Sequence, residues 1–229
     1  MQIKESTIQY NGESIIADII GDDSQIDILM IHGGGLGSNR KRFHKLRLDL
    51  AKHGITSVAF DHLGHGDSSG NLLGSTLKSR TEQVEIIANE LSLNTPTMLL
   101  GTSMGAYTAI IAGARLNIKK LSLFVPGVYN PNAYELPFGP EFSQAIRQHN
   151  SWGGSDAFSK IQELKGKILI FGAERDQVIP REIPERLHQA SAHSTIHWID
   201  SDHNIQQYIA ENDTVRSKIV AEIQKVINI

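Results

Sequence analysis

The chain alternates between short apolar runs and longer amphipathic stretches, and this alternation constrains its fold more than any other feature of the sequence. Four runs are almost continuously apolar, as strands covered on both faces of a parallel sheet are. Two further runs follow late in the chain, and helical patterns separate the runs. The alternation predicts an α/β fold with a mostly parallel sheet and helices on both faces. The predicted strands are 27–32, 56–61, 97–101, 121–125, 167–172 and 195–199, and the predicted helices are 41–52, 79–91, 104–116, 181–190 and 213–227.

Two more runs, 6–10 and 14–20, precede these strands and are separated by Asn11-Gly12-Glu13. Asn-Gly between two β-like runs is a strong hairpin signal, so the two runs are predicted to pair antiparallel at an edge of the sheet. Together with the six later runs they make a predicted sheet of eight strands.

The region 129–164 interrupts the alternation, because it is rich in Pro, Gly and Asn and contains no clear strand. It holds six of the 14 aromatic residues, which predicts a short cap inserted into a single domain spanning 1–229. No amphipathic lid helix is evident in it. The cap aromatics either line an apolar acyl or aryl pocket or form a small core of the cap itself. The candidates for substrate binding are Tyr129, Phe138, Phe142 and Trp152.

Composition narrows the possible partners. The chain has 229 residues and a net charge of −3, which gives no reason to expect nucleic acid or an anionic membrane. The densest basic cluster lies in the predicted helix 41–52 and just before it, and it is interpreted as a solvated face. Its members are Arg40, Lys41, Arg42, Lys45 and Arg47. With no cysteine, disulfides, thiolate metal sites and a cysteine nucleophile are excluded.

Neither targeting nor membrane insertion is predicted. Charges at Lys4 and Glu5 stand where a signal peptide needs its apolar stretch, so a cytoplasmic location is expected. Residues 91–114 carry no charge and are long enough to cross a bilayer. Their Pro, Gly and Thr content is better explained by a buried strand, a sharp turn and a buried helix.

Gly101-Thr102-Ser103-Met104-Gly105 follows an apolar run and opens an apolar helical pattern. This is a Gly-x-Ser-x-Gly nucleophile elbow in its strand–turn–helix context. The turn lifts the serine hydroxyl clear of the sheet, and close neighbours must lack side chains for it to form. Ser103 is therefore the predicted nucleophile.

A serine hydroxyl needs a base, and the base needs an acid that orients it. Asp176 and His203 each follow a predicted strand, at the edge of the sheet where such sites assemble. They also follow the serine in the order acid and then histidine. The rival carboxylates are Glu174, Asp200 and Asp202, of which Glu174 is the strongest because it shares a loop with Asp176.

His32-Gly33-Gly34-Gly35 follows the predicted strand 27–32. Glycine lets the backbone approach a substrate and point an N–H toward it. The predicted oxyanion hole pairs the Gly34 N–H with the Met104 N–H. His62 and His65 are three residues apart, but no third ligand is indicated, so no metal and no cofactor are predicted.

Together these motifs resemble the α/β-hydrolase superfamily, with the greatest likeness to small bacterial esterases: cinnamoyl esterase-like, serine aminopeptidase-like and monoglyceride lipase-like hydrolases. The markers are His32–Gly35, Asp61–Ser68, the Ser103 elbow, Asp176 and His203. The resemblance implies an α/β-hydrolase fold, with Gly34 as an oxyanion donor and the 64–68 run bracing the nearby loop. Peptidases of the superfamily hold a substrate amine with acidic cap residues, and Glu135 and Glu141 are the candidates present.

The predicted activity is hydrolysis of a small-molecule carboxylic ester through an acyl-enzyme on Ser103. Acylation is expected to weaken below about pH 6, because a histidine base must be neutral. A thioesterase or small-amide hydrolase could use the same triad. A non-catalytic ligand receptor is a third possibility, although the intact triad argues against it. The sequence does not indicate an oligomeric state.

Overall fold

The computed structural model describes residues 3–90 and 97–228. In this part of the chain eight strands form one sheet with the order β1-β2-β4-β3-β5-β6-β7-β8. The pairings from β4 through β8 are parallel, as the apolar runs predict. The strands are β1 Ile3–Tyr10, β2 Glu13–Ile20, β3 Ile28–Ile31, β4 Ser57–Phe60, β5 Met98–Thr102, β6 Lys120–Phe124, β7 Ile168–Ala173 and β8 Ser194–Ile199.

The predicted hairpin is confirmed at the sheet edge. β1 and β2 pair antiparallel, with Tyr10 opposite Glu13. Asn11 and Gly12 between them both have positive φ angles, of 51° and 81°. Two consecutive positive φ angles are the requirement of a type I′ turn, whose twist matches that of the flanking strands. The Asn-Gly pair therefore sets the register of the edge.

Helices cover both faces of the sheet. They are α1 His44–Lys52, α2 Leu77–Glu90, α3 Met104–Arg115, α4 Pro140–Arg147, α5 Ala157–Glu163, α6 Glu182–Ala190, α7 Ile205–Glu211 and α8 Asp213–Ile227. The predicted helix 41–52 begins as a 3-10 turn, Arg40–Phe43, and α7 was not predicted. The last residue of the predicted helix 79–91 and residues 91–96 of the uncharged stretch lie outside the described residues. None of the described helices is long and apolar enough to cross a membrane.

Neighbouring residues of one strand face opposite cores, which explains the continuous apolar runs. In β3, Leu29 and Ile31 belong to the core that also contains α2 and α3, whereas Ile28 and Met30 belong to the core under α1 and α8. A strand covered on both faces needs apolar residues at every position. The two cores hold the carboxyl ends of the parallel strands at one edge.

The segment between β6 and β7, for which the sequence predicts a cap, contains α4 and α5. The expectation that this segment has no amphipathic helix is wrong for α4. Pro140 occupies its first turn, and Phe142 is buried while Glu141 and Arg147 are exposed. Pro favours the first helical turn. The Pro and Gly content of the segment predicted a loop, although Pro140 here begins a helix.

The basic cluster before and within α1 is not a uniformly solvated face. Arg40 and Arg47 are 2% and 1% exposed, and both form ion pairs with Asp18 of β2. Arg40 also pairs with Asp61 after β4, and Arg47 donates a hydrogen bond to Ser57 Oγ over 3.0 Å. The interpretation as a solvated face is wrong for these two arginines, because Asp18, with which both of them pair, lies on β2 and is distant in the sequence. The remaining members of the cluster are exposed: Lys41, Arg42 and Lys45.

Candidate active site

Ser103 occupies a strained turn between β5 and α3. Its φ of 54° and ψ of −118° lie in a region that residues with side chains rarely adopt. The glycines on either side permit the turn. A Cβ at Gly101 would lie 2.3 Å from the Gly105 carbonyl oxygen, and a Cβ at Gly105 would lie 2.4 Å from the Ile31 carbonyl oxygen. Both elbow glycines are therefore required by packing against neighbouring backbone.

Three side chains from separate elements form one hydrogen-bonded chain. Ser103 Oγ lies 3.1 Å from His203 Nε2, and His203 Nδ1 lies 2.9 Å from Asp176 Oδ2. Asp176 follows β7 and His203 follows β8, so the parallel strands deliver both to the edge where the elbow lies. The structure thus brings together the three residues predicted as nucleophile, base and acid.

The local hydrogen bonds keep the Asp176 carboxyl ionised. Its Oδ1 accepts from the Val178 and Ile179 N–H groups over 2.8 and 2.9 Å. Burial raises the pKa of Asp176, but the hydrogen bonds from His203 and from these two N–H groups outweigh it, and the pKa lies below its ordinary value. An ionised acceptor at Nδ1 holds the tautomer of His203 that presents Nε2 to the serine.

The rival carboxylates have other partners. Asp200 forms an ion pair with Arg175, and Asp202 accepts a hydrogen bond from the Asn204 N–H over 2.8 Å. Glu174 is exposed. Of the four candidates, Asp176 is the one that contacts the His203 ring.

The glycine loop after β3 packs directly on the elbow. A Cβ at Gly33 would lie 3.4 Å from Ser103 Cβ, and one at Gly34 would lie 2.6 Å from Met104 Cε. Met104 is the first residue of α3, and the first N–H groups of a helix have no acceptor within it. Among residues 3–90 and 97–228, neither the Gly34 N–H nor the Met104 N–H donates a hydrogen bond to a protein group. Two free donors thus lie beside the serine, one on the loop after β3 and the other at the start of α3.

Ser103 lines a small cavity of about 180 Å³. Its walls come from the loop after β3, from Phe43 and Arg42, and from His203 and Gln206 on the other side. Arg42 is the one lysine or arginine among the described residues that line it, and none of them is Asp or Glu. The cavity therefore suits a neutral or negatively charged group better than an ammonium group.

The four aromatic residues predicted to bind substrate lie elsewhere. Phe138 and Phe142 pack against each other in the core, with ring centroids 4.6 Å apart, and Tyr129 packs on that core. Trp152 lines a second, open cavity of about 840 Å³ beside α6, which contains none of the triad residues. None of the four lines the cavity at Ser103. Their role in binding substrate stays a prediction.

Histidines near the site are buried in a polar cluster. His32, His62 and His65 are each 3% exposed or less, and the His32 ring contacts each of the other two edge to face. His62 Nδ1 lies 3.0 Å from Gln83 Oε1. In the described part of the chain, no group of three or more His, Asp or Glu side chains is arranged to hold a metal ion.

Sequence reasoning missed Arg80, a fully buried side chain on α2 that contacts this cluster. A signal was present in the pattern. Arg80 follows Leu77 by three residues and precedes Val84 by four, and both of these are fully buried. Residues at that spacing share one helix face, so Arg80 belongs to the face that points into the protein.

The parallel sheet, the nucleophile elbow and the strand-end partners define the α/β-hydrolase fold. The model of the family described as serine aminopeptidase, S33, matches residues 23–149, which is more than half of the chain. The chain belongs to this family of α/β-hydrolases.

Individual relatives share part of the sequence or the fold of this chain. An uncharacterized abhydrolase domain-containing protein of Dictyostelium discoideum is 33% identical over 94 residues, which cover 41% of this chain and 9% of that protein's length. A thioesterase domain from the curacin biosynthetic pathway superposes with a TM-score of 0.75 at 18% identity, covering 96% of this chain and 100% of that chain.

Two solved esterase structures share the same fold. An esterase from Exiguobacterium antarcticum has a TM-score of 0.74 at 20% identity, covering 96% of this chain and 100% of that one. Est1E from Butyrivibrio proteoclasticus, solved with ferulic acid bound, has a TM-score of 0.74 at 17% identity, covering 96% and 99%. At these identities the similarity establishes the fold.

Proposed function

We propose that the protein is a serine hydrolase that cleaves carboxylic esters of small or medium acyl or aryl groups through an acyl-enzyme on Ser103. The observation that carries the proposal is the hydrogen-bonded chain from Ser103 through His203 to Asp176. A serine in a strained elbow, in contact with an oriented histidine, is arranged for nucleophilic attack.

In the first half of the reaction, His203 Nε2 accepts the proton of the Ser103 hydroxyl as the oxygen attacks the ester carbonyl carbon. The carbonyl oxygen becomes an oxyanion, and the N–H groups of Gly34 and Met104 donate hydrogen bonds to it. His203 then gives its proton to the leaving alcohol, and the acyl group stays on Ser103. Asp176 stabilises the imidazolium that forms between these steps.

In the second half, water takes the place of the alcohol. His203 accepts a proton from the water as its oxygen attacks the acyl carbon, and the same two N–H groups stabilise the second oxyanion. Collapse of this intermediate returns the proton to Ser103 Oγ and releases the carboxylic acid. His203 accepts and returns the proton in every transfer of this scheme.

The charges of the cavity favour esters over the peptide N-terminus that an aminopeptidase would hold. An ammonium group needs a carboxylate partner, and neither acidic candidate lines the cavity at Ser103. Glu135 forms an ion pair with Lys78 over 2.8 Å, which lowers the pKa of the glutamate, and Glu141 lies in the first turn of α4. We therefore favour an acyl substrate without a positive charge near the scissile bond.

Thioesters are the second candidate class, because the thioesterase domain from the curacin pathway has the same fold and because a thioester passes through the same oxyanion. The bound ferulic acid in Est1E supports the inclusion of aryl substrates. Turnover of matched ester, thioester and amide substrates with one acyl group would rank the three classes by kcat/KM. We expect the ester to have the highest value, and a higher value for the thioester would replace the ester assignment.

The experiment that tests the proposal measures hydrolysis of short-chain p-nitrophenyl esters by the wild type and by Ser103→Ala. A matched control is Ser159→Ala, a change to an exposed serine of α5. We expect turnover by the wild type and the control, and a loss of several thousandfold in Ser103→Ala. Equal turnover by all three would contradict the proposal, and so would a wild type without activity on esters, thioesters and amides.

A further inference from the structure

Two side chains hold one peptide group of the glycine loop by its carbonyl oxygen. The Gly33 carbonyl oxygen accepts a hydrogen bond from Arg80 Nη1 over 3.1 Å and lies 2.8 Å from His32 Nδ1. This carbonyl and the Gly34 N–H belong to the same planar peptide unit, and in a trans peptide they point in opposite directions. Whatever holds the Gly33 carbonyl therefore also sets the direction of the Gly34 N–H.

Arg80 differs from the other buried arginines near the site. It is fully buried, as are Arg40 and Arg47, but those two form ion pairs with Asp18. Among the described residues, no Asp or Glu forms an ion pair with Arg80. Its hydrogen-bond partners are a peptide carbonyl and a histidine, and its guanidinium lies over the Phe138 ring. Burial lowers the pKa of Arg80 to about 9, so the guanidinium is still protonated at neutral pH. An unneutralised cation thus lies behind the peptide that carries the oxyanion donor.

The histidines complete a network whose hydrogens can be assigned from its donors and acceptors. Arg80 Nη2 donates to His65 Nε2 over 2.5 Å, so His65 Nδ1 carries a hydrogen and donates it to the Ser38 carbonyl over 3.1 Å. His32 Nε2 accepts from the His62 N–H over 3.0 Å, so its Nδ1 donates to the Gly33 carbonyl. The loop from 33 to 38 is therefore held at both ends.

We propose that Arg80 is a positioning residue that sets the oxyanion hole: it binds the carbonyl of the Gly33–Gly34 peptide and so directs the Gly34 N–H toward the developing oxyanion. This inference rests on the proposed serine hydrolase function. Its second element is electrostatic. A cation bound to the carbonyl of a peptide polarises that peptide and strengthens its N–H as a hydrogen-bond donor.

Loss of Arg80 would leave the Gly33 carbonyl with one donor fewer and no cation. A flexible glycine peptide can then rotate, and its N–H leaves the direction of the oxyanion. The defect would be greatest in the transition state, because the oxyanion exists there and not in the bound ester. The expected signature is a lower kcat at a nearly constant KM.

The test compares Arg80→Met with Arg47→Met, which removes a second fully buried arginine that does not contact the loop. We measure kcat and KM with a p-nitrophenyl ester, and affinity for an aryl boronic acid that forms a tetrahedral adduct with the serine. For Arg80→Met we expect kcat to fall tenfold to a hundredfold, KM to change by less than about threefold, and boronate affinity to fall with kcat. Arg47→Met should keep kcat within about twofold for the folded fraction.

Arg80→Lys serves as the second variant, and it decides the question if Arg80→Met does not fold. Lysine keeps the charge but has one compact ammonium group in place of the guanidinium fork that binds both Gly33 and His65. We expect an intermediate kcat, at least threefold below the wild type, with KM unchanged.

Wild-type kcat and boronate affinity in the folded Arg80 variants would overturn the inference, and so would a change confined to KM. A kcat loss no larger than that of Arg47→Met would overturn it as well. These results differ from a failure of the proposed function, in which the wild type itself would hydrolyse no substrate. That outcome would remove the proposed function and this inference together.

Discussion

The ion pair between Arg40 and Asp61 offers a direct test of what burial contributes to this fold. Asp61 is fully buried, and its carboxylate accepts hydrogen bonds from the Arg40 N–H over 2.6 Å and from the Asp67 N–H over 2.9 Å, besides pairing with the Arg40 guanidinium. The perturbation is Asp61→Asn, which keeps the shape and removes the charge. The control is Asp67→Asn, because Asp67 pairs with the same arginine but is half exposed.

The magnitude follows from the two environments. Breaking a buried ion pair by changing one partner costs about 3–5 kcal/mol, because the other charge stays buried without its partner. Arg40 retains Asp18 and the more exposed Asp67 and Glu5 as partners, so we expect the lower end, about 3 kcal/mol. In Asp61→Asn an amide NH₂ also faces N–H donors that need an acceptor. For Asp67→Asn we expect less than about 1 kcal/mol, as for solvent-exposed ion pairs.

The assay is urea unfolding followed by far-UV circular dichroism, with the free energy of unfolding of each variant taken by linear extrapolation. A loss of about 3 kcal/mol leaves a domain of ordinary stability folded, so both variants can be compared. Equal destabilisation by Asp61→Asn and Asp67→Asn would refute the reasoning. A loss below about 1 kcal/mol in Asp61→Asn would refute it too, since burial would then contribute nothing to the pair.

Three further predictions concern the site and its supports. Gly105→Ala should abolish activity and lower the free energy of unfolding, because the new Cβ would lie 2.4 Å from the Ile31 carbonyl oxygen; normal stability in urea and normal kcat would contradict this. Asp176→Asn should lower kcat by up to about 10⁴ with little change in KM, because His203 loses the ionised acceptor that sets its tautomer; a kcat within tenfold of the wild type would rule this out. Burial lowers the pKa of His65 from 6.5 to about 4, so between these values the unfolded chain binds a proton that the folded chain does not. The free energy of unfolding should therefore fall as the pH is lowered through this window, and His65→Gln should reduce the slope of that free energy against pH by up to about 1.4 kcal/mol per pH unit. Urea unfolding at pH 6.5, 5.5 and 4.5 measures this slope, and identical slopes for the wild type and His65→Gln would count against the prediction.

The sheet could be predicted from the sequence because its signals are local. Continuous apolar runs mark strands covered on both faces, and Asn11-Gly12 marks the edge hairpin through its backbone preference. The approach of Ser103, Asp176 and His203 could also be predicted, because parallel strands end at one edge of the sheet and each of these residues follows a strand. Their catalytic roles stay predictions.

The buried arginines could not be predicted from local pattern. Nothing near Arg40 or Arg47 in the sequence indicates Asp18, which lies on β2, 22 residues or more away. Arg80 lies on the buried face of its helix, but a cation is an unusual residue there, and its hydrogen-bond partners, the Gly33 carbonyl and the His65 ring, lie on distant loops. Burial of a charge depends on partners that only the tertiary structure brings near.

The segment between β6 and β7 was the least predictable part. Pro and Gly favoured a loop there, yet Pro140 begins a helix whose inner face carries Phe142. Aromatic content alone did not distinguish a substrate pocket from a local core. The structure places Phe138 in the core, with its ring centroid 5.2 Å from the guanidinium carbon of Arg80. Both outcomes are compatible with the same composition.

The central claim is that Ser103 is an activated nucleophile, and labelling with a fluorophosphonate tests it most directly. The reagent requires an activated serine but no knowledge of the natural substrate. Mass spectrometry of the digested adduct should locate one phosphonyl group on Ser103 of the wild type, and Ser103→Ala should remain unlabelled. An unlabelled wild type that is folded by circular dichroism, or an adduct that persists in Ser103→Ala, would contradict the account.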